Sequence, residues 1–384
     1  AQGPAGTLNL TVEGKNKAGE AVTLQNVGIY VDGALNLETS VIASQTVSAC
    51  VTGNIELNNN IGIASADTYI GSGKNMTINN AQNIVGTDKL TMEALDNLTI
   101  NGVTVNLSSK EIVLRAGDEV RLNAGSLDSD VLKVYAGAYL RQNGTKAEAQ
   151  EALYSAGEQM QLNSGSLTAN KVELLGMGEH INGVAITESA SGYKLDVSDT
   201  LILNTEGANL DSKLNQLVNV VVDAASSGTI LVGSGNTTDA DLKVSVQAAA
   251  AGEKFQGSLT VHNYDNGTAL VNKIGVNDAL RVNGDVSLIN DETDIVLSEG
   301  VLEANTATFK AIVGAIREAD SGFELNVADV TAIAAGDIAL DSTANQLEKV
   351  TLANTSGNIA VGSGNHQNNN DLTVITNGEI KGDL

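Results

Sequence analysis

Short segments in which apolar residues alternate with Thr, Asn, Lys or Glu recur along the whole chain. Examples are TLNLTV (7–12), NIELNN (54–59), NMTINN (75–80), KLTMEA (89–94), NLTING (97–102), EIVLRA (111–116) and EVRLNA (119–124). A period of two is the mark of a half-buried strand. Gly, Asn and Asp punctuate the segments and make tight turns without proline, of which the chain has one, Pro4. Strands this short and this closely spaced predict an all-β fold in which one chain coils and successive turns stack: a parallel β-helix, or β-solenoid. Tandem β-sandwich domains are the alternative that density alone leaves open.

Repeats favour the coil. GSLDSDVLKVYAGAYL begins at Gly125, GSLTANKVELLGMGEHI at Gly165 and GVLEANTATFKAIVGAI at Gly300. Each is Gly-x-Leu, a small or acidic patch, then an alternating strand. A longer duplication pairs SGYKLDVSDT (191–200) with SGFELNVADV (321–330), 130 residues on, and continues from SGTILVGSGN (227–236) to SGNIAVGSGN (356–365). The expected organisation is an N-terminal β region (1–164), a first copy of the duplicated unit (165–299), and a second copy with a C-terminal β segment (300–384). At roughly 20–25 residues per turn, the chain would make about 15–19 turns. KAEAQEALYSAGEQ (146–159) has strong helix formers and reads as a short extruded helix ending near Gly157. TATFKAIVGAIREA (306–319) also looks amphipathic, but it aligns with strands of the other Gly-x-Leu copies and is read as strand.

Composition narrows the function. With 42% apolar residues a large core is available, and with 3% aromatics and no Trp that core is aliphatic. Few aromatics leave little for a sugar cleft or a nucleic-acid platform. A net charge of −25 argues against nucleic acid and anionic membranes. No stretch approaches ~18 apolar residues, so no membrane insertion is expected. The opening Ala-Gln-Gly, without Met, reads as a mature secreted N-terminus.

Catalytic and binding residues are scarce, and none is assigned as catalytic, cofactor-binding or metal-ligating. His180, His262 and His366 lack a second His or Cys at ligand spacing and read as surface residues. Lone Cys50, in SQTVSACVTGNI, reads as a small buried strand residue. GSG at 71–73, 233–235 and 362–364 reads as a turn, not a phosphate cradle. Asp128/Asp130, Asp239/Asp241 and Asp291/Glu292/Asp294 read as solvated turn residues. No cofactor is required, and calcium is the one ligand such acid clusters would suit. Asn58–Asn60 and Asn368–Asn370 are candidates for side-chain ladders between turns. Asn-x-Ser/Thr occurs at Asn9, Asn75, Asn97, Asn106, Asn143, Asn236, Asn266 and Asn354, about as often as chance gives in such a sequence.

The text NLTINGVTVNLSSKEIVLRAGDEVRLNAGSL (97–127) resembles the repeat regions of large bacterial secreted β-helices, the filamentous-haemagglutinin-like exoproteins and autotransporter passengers. The similarity is one of texture, over about 54–380. It implies adhesion or surface assembly at the cell surface. The expectation is a secreted, non-enzymatic structural protein of a fibre or surface layer, its partner a second copy of itself. An adhesin passenger fragment binding a host or neighbour molecule is the alternative. A carbohydrate-active β-helix enzyme is the third reading.

Overall fold

The computed structural model describes residues 7–10, 24–37, 39–58, 60–79, 81, 83–178, 183–236, 240–248, 250, 252–265, 274–276, 279–298, 300–318, 322–364 and 372–376. Every pairing with a defined register is parallel, and the strands stack as a β-solenoid of about 15 turns. Backbone contacts divide it into two compact units. One comprises residues 1–178 with 192–194, and the other residues 179–191 with 195–384. Among the described residues no helix is long and apolar enough to cross a membrane.

In the first unit the turns as far as Leu122 pair a long strand with a short one, and beyond it the short strand runs on into the next turn, as in Tyr139–Glu148 and Gln159–Gly176. Asn106–Ala116 and Glu119–Leu122 make one turn, and Ser126–Ala136 with Tyr139–Glu148 the next. The long strand is interrupted by a register shift, between Ser109 and Glu111 for example, so a turn offers three straight runs. Like residues then fall above like. Met76, Leu98, Val120, Leu140 and Met160 stand in register on successive turns, all buried. In the second unit, Ile274, Ile295, Ile316, Ile338 and Ile359 form a column of the same kind. An aliphatic core follows from this geometry, because a branched chain packs well on a copy of itself about 4.8 Å away.

Corners dictate the glycines. The three Gly-x-Leu repeats place Gly125, Gly165 and Gly300 at φ of 91°, 102° and 97°. Only glycine adopts that left-handed corner freely, and it turns the following Leu127, Leu167 or Leu302 into the core. Gly117, Gly137 and Gly157 stack for a different reason. A Cβ on Gly137 would lie 1.9 Å from the Gly117 carbonyl oxygen of the turn below.

The expected helix at 146–159 is strand instead. Tyr139–Glu148 and Glu151–Ala156 run through it, with Ala147, Ala152, Tyr154 and Ala156 turned inward. Ala152 is in register with Leu132, and Lys146 pairs with both Ser126 and Ser166. Ladder bonds on both edges outweigh helix propensity, which is a weak local preference. The segment 306–319 is strand to Ala311, then bends, then strand again at Ile316–Glu318, as the repeat alignment predicts.

Two measurements follow from this packing. Gly137→Ala should lower the unfolding free energy by about 1–3 kcal/mol in denaturant titration, since backbone has to move to admit the methyl. Tyr154 is fully buried, and its hydroxyl has no hydrogen-bond partner among the described residues. Tyr154→Phe should therefore stabilise the protein by about 1 kcal/mol in the same titration.

Candidate functional sites

Most outward polar groups bond along the stack. Asn58, Asn79, Asn101, Asn123, Asn143 and Asn163 form a ladder in which each Nδ2 donates to the Oδ1 one turn below, at 2.6–2.9 Å. Asn58, from the first predicted run, is its lowest rung, whereas Asn368–Asn370 lie outside the described residues. A second ladder joins Asn54, Asn75 and Asn97. Charges repeat the pattern: Lys89 and Lys133, one turn either side, both bridge to Glu111, at 3.2 and 2.8 Å. The Lys133 bond holds the Glu111 carboxyl below its ordinary range. Of the glycosylation sequons, Asn75, Asn97 and Asn143 have side chains committed to these ladders, and Asn106 donates to Asn83 Oδ1 one turn below.

One outward column of the first unit is interrupted. Tyr30, Cys50, Gly71, Glu93, Arg115 and Tyr135 occupy it on successive turns. The small Cys50 and Gly71 leave a notch, part of a groove of about 570 Å³. Tyr30, 76% exposed, lines it at one end of the column, together with Tyr69 and Leu95. Tyr69 donates its hydroxyl to Glu93 Oε2 at 3.1 Å, and Arg115 lies 3.7 Å from Glu93 and 5.0 Å above the Tyr135 ring. Cys50 is thus on a strand but exposed, contrary to the buried position expected. Val47, Ala49 and Val51 take the inward phase and leave Cys50 the outward one. The groove was not foreseen either, because the tyrosines that line it are dispersed in sequence and meet only through the register.

In the second unit the structure gathers Asp211, Tyr264, His262 and Asp291. Tyr264 donates to Asp211 Oδ1 at 2.7 Å and its ring lies 3.7 Å from that of His262. His262 Nε2 is 3.0 Å from Asp291 Oδ2, though not aligned as a hydrogen bond. Burial, and then the bond to Asp211, raises the Tyr264 phenol well above its usual range. Gly233, of the second GSG, makes room: a Cβ there would come within 2.6 Å of Asp211 Oδ1 and 2.8 Å of the Tyr264 ring. The GSG serines face inward and cap backbone, Ser234 Oγ donating to the Asn215 carbonyl and Ser363 Oγ to that of Asn345.

A third feature belongs to the duplication itself. DSKLNQL (211–217) and DSTANQL (341–347) form the same corner. Asn215 Oδ1 accepts from Leu195 N and its Nδ2 donates to the Leu210 carbonyl. Asn345 does the same with Leu325 and Leu340. Each Asn also donates to a carboxylate one turn below, Asn215 to Glu188 Oε2 at 2.8 Å and Asn345 to Glu318 Oε2 at 3.1 Å. These glutamates were not singled out in sequence. The signal was there: AITESASGYKL (185–195) and AIREADSGFEL (315–325) extend the repeat by six residues on its N-terminal side.

The remaining acids are dispersed. Asp128 and Asp130 lie on the strand Ser126–Ala136 rather than in a turn, Asp130 accepting from Gln150. Ladder pairing with the turns on either side extends the strand through their acidic patch. Asp294 accepts from Ala315 N and pairs with Arg317. His180, His366, Asp239 and Asn266 lie outside the described residues. Among the described residues no group of three or more His, Cys, Asp or Glu is placed to hold a metal ion.

Tyr264→Phe should cost the second unit about 1 kcal/mol by deleting the bond to Asp211, and Gly233→Ala should cost more, by displacing the ring; denaturation of both variants checks the order. Comparison with family models, curated proteins and solved structures finds no match to this chain.

Proposed function

We propose that this chain is a secreted, non-enzymatic structural protein of an extracellular fibre or surface layer, acting through association of its own copies. The observation that carries the reading is the direction of its polar bonds. Asparagine ladders and the Lys89–Glu111–Lys133 bridges run along the stack and tie turn to turn. Side chains used this way resist unwinding and are not free to converge on a substrate. Strand addition between copies is the mode of joining this reading calls for. The charge of −25 opposes such joining at low salt and screening relieves it.

A second reading, an adhesin that binds a neighbouring surface, is favoured by the notch between Tyr30 and Glu93. Two tyrosines, a leucine and a Glu–Arg pair meet there in a chain with only 3% aromatics. Such a mixture of apolar faces and paired charges suits lateral recognition. The carbohydrate-active enzyme remains the weakest reading, since it needs a pair of acids facing each other across a cleft.

Negative-stain microscopy of the purified chain at low and high salt, with and without calcium, tests the first reading. Ordered polymers that lengthen with salt are the expected result. Isolated particles under every condition would remove it and leave the adhesin.

A further inference from the structure

Glu188 and Glu318 occupy positions that the fold otherwise fills with aliphatic side chains. Glu318 is in register with Leu297 of the turn below, and the ladder through Arg317 and Ala339 brings it level with Leu340 of the turn above. Glu188 comes level with Leu210, which stacks on Val232. In each carboxyl one oxygen has donors: Asn215 for Glu188, and Asn345 with the Ser342 amide for Glu318. The other, Oε1, is shut from water and has no hydrogen-bond partner among the described residues. The two oxygens stand 130 residues apart at matched points of the duplication.

We propose that Glu188 and Glu318 act as a pair of proton-operated latches, one in each copy of the repeat: each corner is closed while its carboxyl is neutral and loosens when it ionises. A neutral acid accepts at Oε2 and leaves only a hydroxyl unpaired at Oε1, a smaller penalty than a buried charge. A carboxylate there places charge on an oxygen that neither water nor a donor reaches. The titratable groups that face them are both acidic, Asp211 toward Glu188 and Asp341 toward Glu318, and both oppose ionisation. Arg317, next to Glu318 on its strand, points away and pairs with Asp294. Burial is the main cause that raises both carboxyls, and Glu188 is pushed up to about 8.

The consequence reaches the backbone through Asn215 and Asn345. Each asparagine holds its corner by bonding one turn's amide and its own turn's carbonyl while it donates to the glutamate. The bonds from Asn215, Asn345 and Ser342 favour the carboxylate but are outweighed by burial, so ionisation draws the carboxyl toward water and loosens that bracket. The sign follows from the raised folded value. The contribution of each acid to stability is complete below the ordinary carboxyl range. It is lost as pH climbs through the folded value, for Glu188 up to about 8. Loosening is therefore an alkaline event, confined to the two corners. It stands independently of the structural reading above.

Hydrogen exchange on the full chain, corrected for intrinsic rate, tests the proposal. Between about pH 5 and about pH 9, protection of residues 208–217 and 338–347 should fall roughly tenfold or more relative to residues 98–122. The Glu188→Gln, Glu318→Gln double variant should lose that pH dependence. A wild type with no selective fall, or a double variant that keeps it, overturns the proposal. Infrared spectra of the wild type give a second readout that needs no variant. A neutral carboxyl stretch should persist at about pH 7, where ordinary carboxyls are ionised, and its absence overturns the proposal as well.

Discussion

Everything in this protein depends on the in-register parallel backbone ladder. Each strand both donates to and accepts from the turns on its two sides, so most backbone groups are satisfied without long loops or helices. Register then makes the stack specific. A slip of one residue would turn an entire row, such as Met76 through Met160 or Ile274 through Ile359, from core to solvent. The repeated energetic penalty of such a slip explains why strands as short as Leu98–Ile100 keep their place.

The ladder sets the chemistry available at corners and faces. Gly117, Gly137 and Gly157 are glycines because the carbonyl below occupies the space a side chain would need. Outward residues sit about one rung from their counterparts, so an asparagine above an asparagine donates to it directly, and a lysine finds a glutamate. The resulting outer surface is a set of lengthwise polar seams. The notch at Cys50 and Gly71 and the Asp211–Tyr264–His262–Asp291 group are where the seam pattern breaks, and both breaks depend on a glycine that lets a tyrosine lie across neighbouring turns.

Polar groups inside the stack fall into two kinds. Gln142, fully buried in a column between Leu122 and Leu162, has its amide satisfied by the Thr145 and Ser166 carbonyls and accepts from the Tyr193 hydroxyl. It is a closed network and locks one register. Glu188 and Glu318 are open ones, each with an oxygen left over. Each duplicated corner satisfies its asparagine and leaves one oxygen of its acid without a hydrogen bond among the described residues.

Much of this was legible in sequence. Period-two segments, sparse proline and the 130-residue duplication specified an all-β stack, and Gly-x-Leu marked corners that the structure builds at positive φ. Segment 146–159 misled because helix propensity is read locally, whereas its strand pairing comes from residues about 20 positions away on either side. The phase of Cys50 was readable from Val47 and Val51, but the residue's usual burial pointed the other way. The groove and the His262 cluster were not legible, since they join residues separated by several turns. Sequence alone determined the period, the aliphatic core and the corners, because these depend on neighbours along the chain. Only the tertiary structure decided which side chains meet, because that is set by the register between turns.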